Sequence, residues 1–272
     1  MKRLKNVIIY FSISLSCSAY SQSPVQKIAT GHLDFDSSVD TVRYVAEADF
    51  LKGQLLTTGK KLSFKIPVDE DLRSGIDIPG IGELAIVTSG TGMGGVEDVK
   101  IYSYDENLST WIYAKSLTIT PRVDRGMLSP SIEFSSVQGE SESIDGKKVV
   151  YKYTKPSSDN LFKLVKDARE NKYSRYDIIE YFYNYPVTLS NVRYYNDLAY
   201  YMQGEILSIF VLEEVIAKFP KRVVAHLNLG DSYFELGNEE KARQHYKTYV
   251  ALLKGNKKGA ARIPKYVFDR LK

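Results

Sequence analysis

Cysteine occurs once in the 272 residues, at Cys17, while histidine occurs three times and tryptophan once. So small a supply of thiol and imidazole excludes a disulfide-stapled fold and leaves little for a metal centre. His32, His226 and His245 stand in no ligand spacing such as H-x-x-x-H, and no G-x-S-x-G, S-x-x-K or H-E-x-x-H occurs. A hydrolase built on a nucleophile triad is therefore not expected, although two distant carboxylates could still converge in a cleft. Charge of one sign is also scarce: 37 Lys and Arg against 33 Asp and Glu leave +4. The excess is not gathered into one long basic helix or arm, so nucleic acid is not indicated as a partner.

Long apolar runs are missing too. The one candidate, Val7 to Leu15, is far shorter than the roughly 20 residues a spanning helix needs. It follows Lys2, Arg3 and Lys5 and precedes small residues, which is the three-part form of a secretory signal. Cleavage after Ser21 is expected, giving a periplasmic or secreted chain that begins at Gln22 and has no cysteine. Lipidation at Cys17 is the less favoured reading, because Ser14 stands where a lipobox wants a branched apolar residue.

What is present divides into two textures. From about Ile28 to Lys155, short alternating runs such as "KLSFKIP", "GELAIVTS" and "DVKIYSY" are broken by Gly, Asp, Asn and Pro, as in antiparallel strands. Asp145-Gly146 is a hairpin signal between "IEFSSV" and "KKVVYKY". After "TKPSSDN" the pattern lengthens to amphipathic helices near Asn160 to Glu170, Tyr176 to Tyr183, Asn191 to Gln203, Glu205 to Phe219, Arg222 to Leu236 and Glu239 to Lys254, with a short one after Pro264. The expected organisation is a signal at 1–21, a β-rich domain at 22–155 and an all-α domain at 156–272, an α+β fold.

Gly90, Gly92 and Gly95 match G-x-G-x-x-G, but a dinucleotide loop needs a helix after it. The residues that follow, "VEDVKIYSY", alternate with period two, so the loop is expected to join two strands and no cofactor is implied.

"VVAHLNLGDSYFELGNEEKARQHYKTYVALLKG" resembles a tetratricopeptide repeat, through Leu229-Gly230, Tyr233, Leu236-Gly237-Asn238, Ala242 and Tyr246 at the spacing of that motif. The preceding segment, with Leu198-Ala199, Ser208 and Pro220, resembles a degenerate copy three residues shorter. The resemblance implies paired helices whose first members line a face that binds a protein or peptide. Carried over by position, that face would hold Arg193, Asn196 and Tyr200 in the weak copy, and Asn228, Asp231, Phe234 and Glu235 in the strong one. Solvation, or packing against the β domain, is the alternative for these residues. Two repeats fall short of the three or so a stack needs, so the upstream helices and a cap at "IPKYVFDRLK" must supply the rest.

"TGHLDFDSSVDTVRYV" resembles the calcium loop of FG-GAP and related extracellular repeats, with Asp34, Asp36 and Asp40 in ligand places but His32 and Ser37 where Asp and Gly belong. A turn closed by Asp side chains is preferred over a metal site, because calcium needs six to eight oxygens. Nine tyrosines between Tyr173 and Tyr201 could form a binding platform, but are read as a seam between helices and sheet. The basic run from Lys254 to Lys272 either offsets a helix dipole or meets an anionic surface such as lipid head groups. The resulting expectation is an exported, non-catalytic protein-binding scaffold. The alternatives are an envelope hydrolase with carboxylates between the two halves, and an immunity-type inhibitor of a secreted toxin.

Overall fold

The structure is a computed structural model that describes residues 26–36, 38–47, 50–58, 60–68, 72–90, 96–124, 127–254 and 261–272. The expected signal with cleavage after Ser21, Cys17, and Gly92 and Gly95 lie outside these residues. Strands come first. β1 (Lys27–Gly31), β2 (Asp40–Ala46), β3 (Phe50–Thr57) and β4 (Lys60–Pro67) form one antiparallel meander. β5 (Leu72–Asp77), β6 (Glu83–Gly90), β7 (Glu97–Asp105), β8 (Thr110–Asp124) and β9 (Met127–Ser136) form a second. The glycine-rich segment therefore connects β6 to β7, paired antiparallel with Ser89 opposite Glu97. β10 (Gln138–Glu142) and β11 (Lys148–Lys152) make a separate hairpin turned at Gly146, whose φ is 85°.

The alternation in the sequence decides which layer each side chain joins. Leu84, Ile86, Tyr102 and Trp111 point from the five-stranded sheet to Val42, Leu51, Leu55 and Phe64 of the four-stranded one and to Leu33 in the segment that joins β1 to β2. Ala85, Val99, Ile101, Leu117 and Ile132 point the other way, into one apolar cluster with the helices. The five-stranded sheet is thus the middle of three layers. Trp111 is fully buried and donates its indole N–H to the Leu33 carbonyl at 2.7 Å, fixing the outer sheet to the middle one.

Helices follow: α1 (Asn160–Arg169), α2 (Arg175–Asn184), α3 (Val192–Tyr201), α4 (Ile206–Lys218), α5 (Val223–Glu235), α6 (Glu239–Lys254) and α7 (Lys265–Arg270). α2 and α4 lie on β9, where the Phe134 and Tyr183 rings stack at 5.8 Å. α1, α3 and α5 pack against one another on the far side. α5 and α6 cross closely, because a Cβ on Gly230 would come within 2.6 Å of the Tyr246 ring. Gly237, at φ 78°, ends α5: its N–H bonds the Phe234 carbonyl, and the Asn238 N–H bonds that of Tyr233. α3 and α4, with 10 and 13 residues, are each three residues shorter than α5 and α6, with 13 and 16.

Candidate functional site

Two regions concentrate functional groups. The first is the outer face of the α1, α3 and α5 row. Exposed positions on α3 recur at Arg193, Tyr194, Tyr200 and Tyr201, with half-buried Asp197 between them, the spacing of one helix stripe. Phe162 of α1, 68% exposed, meets Tyr194 edge-on with ring centroids 6.5 Å apart. Val224 of α5 adds a further exposed apolar side chain. Large apolar groups in water on the side of the helices away from the sheet are the informative exception to ordinary burial.

The seven residues carried over from the repeat motif divide between surface and interior. Arg193, Tyr200 and Glu235 are exposed, and Arg193 pairs with Asp197 at 3.8 Å. Asn196 and Asn228 are buried at 3% and 4% exposure, which corrects their expected place on a binding face. Asn196 Oδ1 is buried with no hydrogen-bond partner among the described residues. Asp231 and Phe234 are partly covered by α7: Arg270 lies 3.9 Å from the centre of the Phe234 ring and donates to Asp231 Oδ1 at 2.7 Å.

Asp34, Asp36 and Asp40 do converge, with one oxygen of each within 4.8 Å of the others. Their bonds are local, however. Asp34 Oδ1 accepts from the Asp36 N–H, Asp36 Oδ1 from the Ser38 N–H, and Asp40 Oδ2 from the Leu33 N–H at 2.7 Å. The backbone bond from Ser38 holds the Asp36 carboxyl below its usual range, and burial pushes that of Asp40 up.

The second region lies between the middle sheet and α2. Lys115 of β8 is 5% exposed and donates to Glu83 Oε1 of β6 at 2.7 Å and to Glu180 Oε2 of α2 at 2.5 Å. Tyr153 donates to Glu180 Oε1 at 2.6 Å and accepts from Asn184 Nδ2 at 2.9 Å. A β-bulge aims the lysine. Ile101 faces Lys115 and Tyr102 faces Tyr113, so Ala114 is the extra residue and alternation reverses there. Without it Lys115 would share the face of Trp111 and Tyr113, toward the outer sheet.

Asp177, one turn before Glu180, brings a third carboxylate within 4.8 Å of Glu83 and Glu180. Burial, then the Glu83 charge, pushes its carboxyl up to about 7. Burial works against the Lys115 charge too, but Glu83 and Glu180 overcome it and hold the ammonium above its ordinary range. Glu83 Oε2 is buried without a hydrogen-bond partner. Cavities of about 200 and 220 Å³ flank the cluster and share Pro156, Asp177 and Glu180 in their walls. Chemically the cluster is an ion clamp between layers, with one proton that exchanges near neutrality.

Sequence reasoning missed Glu83, Lys115, Tyr153, Asp177 and Glu180, because they come from four separated segments. The one available signal was the three-residue spacing of Asp177 and Glu180, which puts both on one face of α2.

No family model, no curated protein and no solved structure matches this chain. Its function rests on the geometry alone. Among the described residues, no helix is long and apolar enough to cross a membrane.

Proposed function

We propose that the chain is a non-catalytic scaffold, exported from the cell, that holds another polypeptide on the outer face of its tetratricopeptide-like helical half. The observation that carries this reading is the division of the helices into two rows. α2 and α4 are committed to the middle sheet, while α1 and α3 turn Phe162, Tyr194 and Tyr200 to solvent, exposed by 68%, 39% and 47%. Amphipathic aromatic side chains of this kind supply contact area with few rotors to immobilise, which suits them to polypeptide binding. The β layers act as a base that stiffens the array, so few repeats suffice.

The test is affinity capture from the envelope with the wild-type chain and with Phe162→Ala/Tyr200→Ala. Both side chains are exposed, so thermal unfolding should stay nearly unchanged while a captured polypeptide disappears. An identical captured set would overturn the reading.

One observation favours a hydrolase instead: Asp177 holds a proton near pH 7 beside two carboxylates in a cleft. Against it, both Glu83 and Glu180 already accept from the Lys115 ammonium, which engages the groups an acid and base would need free.

A further inference from the structure

Asp231 is the centre of a five-residue cluster at the end of the helical row. Its Oδ1 accepts from Tyr246 Oη at 2.7 Å and from Arg270 Nη1 at 2.7 Å, and its Oδ2 accepts from Tyr266 Oη at 2.9 Å. The same Arg270 nitrogen donates to Tyr246 Oη at 2.6 Å, and the guanidinium carbon lies 3.9 Å from the Phe234 ring centre and 4.7 Å from that of Tyr266. Asp231 and Phe234 belong to α5 and Tyr246 to α6, whereas Tyr266 and Arg270 belong to α7. One side of the cluster is therefore a receptor and the other a ligand.

The receptor half is built without α7. Tyr246 is fully buried, its ring is pressed on Gly230, and its hydroxyl orients the Asp231 carboxylate. A fixed carboxylate beside an aromatic face is a site for a guanidinium, which takes a charged hydrogen bond and a ring contact together. The ligand half is held by this cluster and by one fully buried side chain, Val267. α7 has six residues, too few for a helix stable by itself, and within it Val267 alone is buried while Tyr266 and Phe268 are 38% and 46% exposed.

We propose that α7 is an intramolecular ligand that closes this end of the binding face, and that the partner displaces it with a helical segment carrying an aromatic residue four positions before an arginine. The inference rests on the scaffold reading and specifies the chemistry of its partner. Tyr266 and Arg270, at i and i+4, are the pattern that the receptor residues already accept. Release of α7 frees Asp231 and Phe234, two of the positions that the repeat motif assigns to binding, and extends the Phe162 to Tyr200 face along α5.

The test uses the full chain and a labelled synthetic peptide with the sequence of residues 261–272. A tethered competitor that occupies the site in all but about a tenth of molecules weakens apparent affinity about tenfold. Arg270→Ala should therefore bind the peptide at least about tenfold more tightly than the wild type. Adding Asp231→Ala should abolish that binding, and so should an arginine-to-alanine change in the peptide. In the wild type, amide hydrogen exchange should open α7 well before α5 and α6. Peptide binding that ignores Asp231, or α7 amides as protected as those of α5, would overturn the proposal. Either result leaves the Phe162→Ala/Tyr200→Ala capture to stand or fall separately, so failure of this inference is distinguishable from failure of the scaffold reading.

Discussion

Replacing Asp177 with Asn should stabilise the protein at pH 8. The carboxyl is pushed up to about 7 from the usual 3.8, by burial first and the Glu83 charge second. A folded value above the unfolded one means that the native state binds the proton more tightly. The native state is therefore favoured at low pH, and stability falls as pH rises from about 4 through 7. At about 1.36 kcal/mol per pH unit, the carboxylate costs up to about 4 kcal/mol above pH 7. One term opposes the gain on substitution. Asp177 sits in the first turn of α2, two residues past Arg175, where a negative charge is worth about 0.3–1 kcal/mol against the helix dipole. Its attraction to Lys115 and Lys163 is already contained in the shift. An asparagine amide can in addition donate toward Glu83 Oε2, which has no partner now. The balance is a gain of about 3–4 kcal/mol at pH 8, vanishing near pH 4. Urea unfolding of both proteins at pH 4.5, 6, 7 and 8 measures it. A variant less stable than wild type at pH 8, or a stability difference that does not grow with pH, would refute the argument.

Three further outcomes follow from the same geometry. Lys115→Met should cost about 3–5 kcal/mol by leaving the Glu83 and Glu180 carboxylates buried without their shared cation, read as a lower urea midpoint at pH 7. Gly230→Ala should lower the melting temperature: the helix-propensity gain of about 1 kcal/mol is outweighed by a Cβ only 2.6 Å from a Tyr246 ring that is buried and tied to Asp231. His245 is held down at about 4 by burial first and the neighbouring His226 second, below its usual 6.5. Its unfolded form binds the proton more readily, so this group's contribution, up to about 3 kcal/mol, is present above pH 6.5 and lost as pH falls toward 4. His245→Gln should flatten that acid limb, which runs opposite to the Asp177 limb and is exposed most clearly when Asp177→Asn is the background.

The elements were legible where one local pattern decided them. Period-two runs became strands, and the Leu236-Gly237-Asn238 turn became the end of α5, because positive φ at a glycine is a local requirement. The strand β10 was not legible: "QGESE" has no apolar residue, and only its pairing with β11 makes it a strand. A bulge at Ala114 leaves no mark in composition, so the face that Lys115 would take could not be read, and with it the cluster between sheet and α2 stayed hidden. The binding positions Asn196 and Asn228 were misplaced for a different reason. Motif numbering assigns a face to a helix, but burial depends on how far the neighbouring helix overlaps it.

The most direct measurement is photo-crosslinking from defined positions in the intact chain. A photoreactive amino acid at Phe162, Tyr194 or Tyr200 should capture a polypeptide, and one at Val150 of β11, 82% exposed on the sheet side, should not. Equal capture from Val150, or none from the three helix positions, contradicts the claim that this protein works through the outer face of its helices.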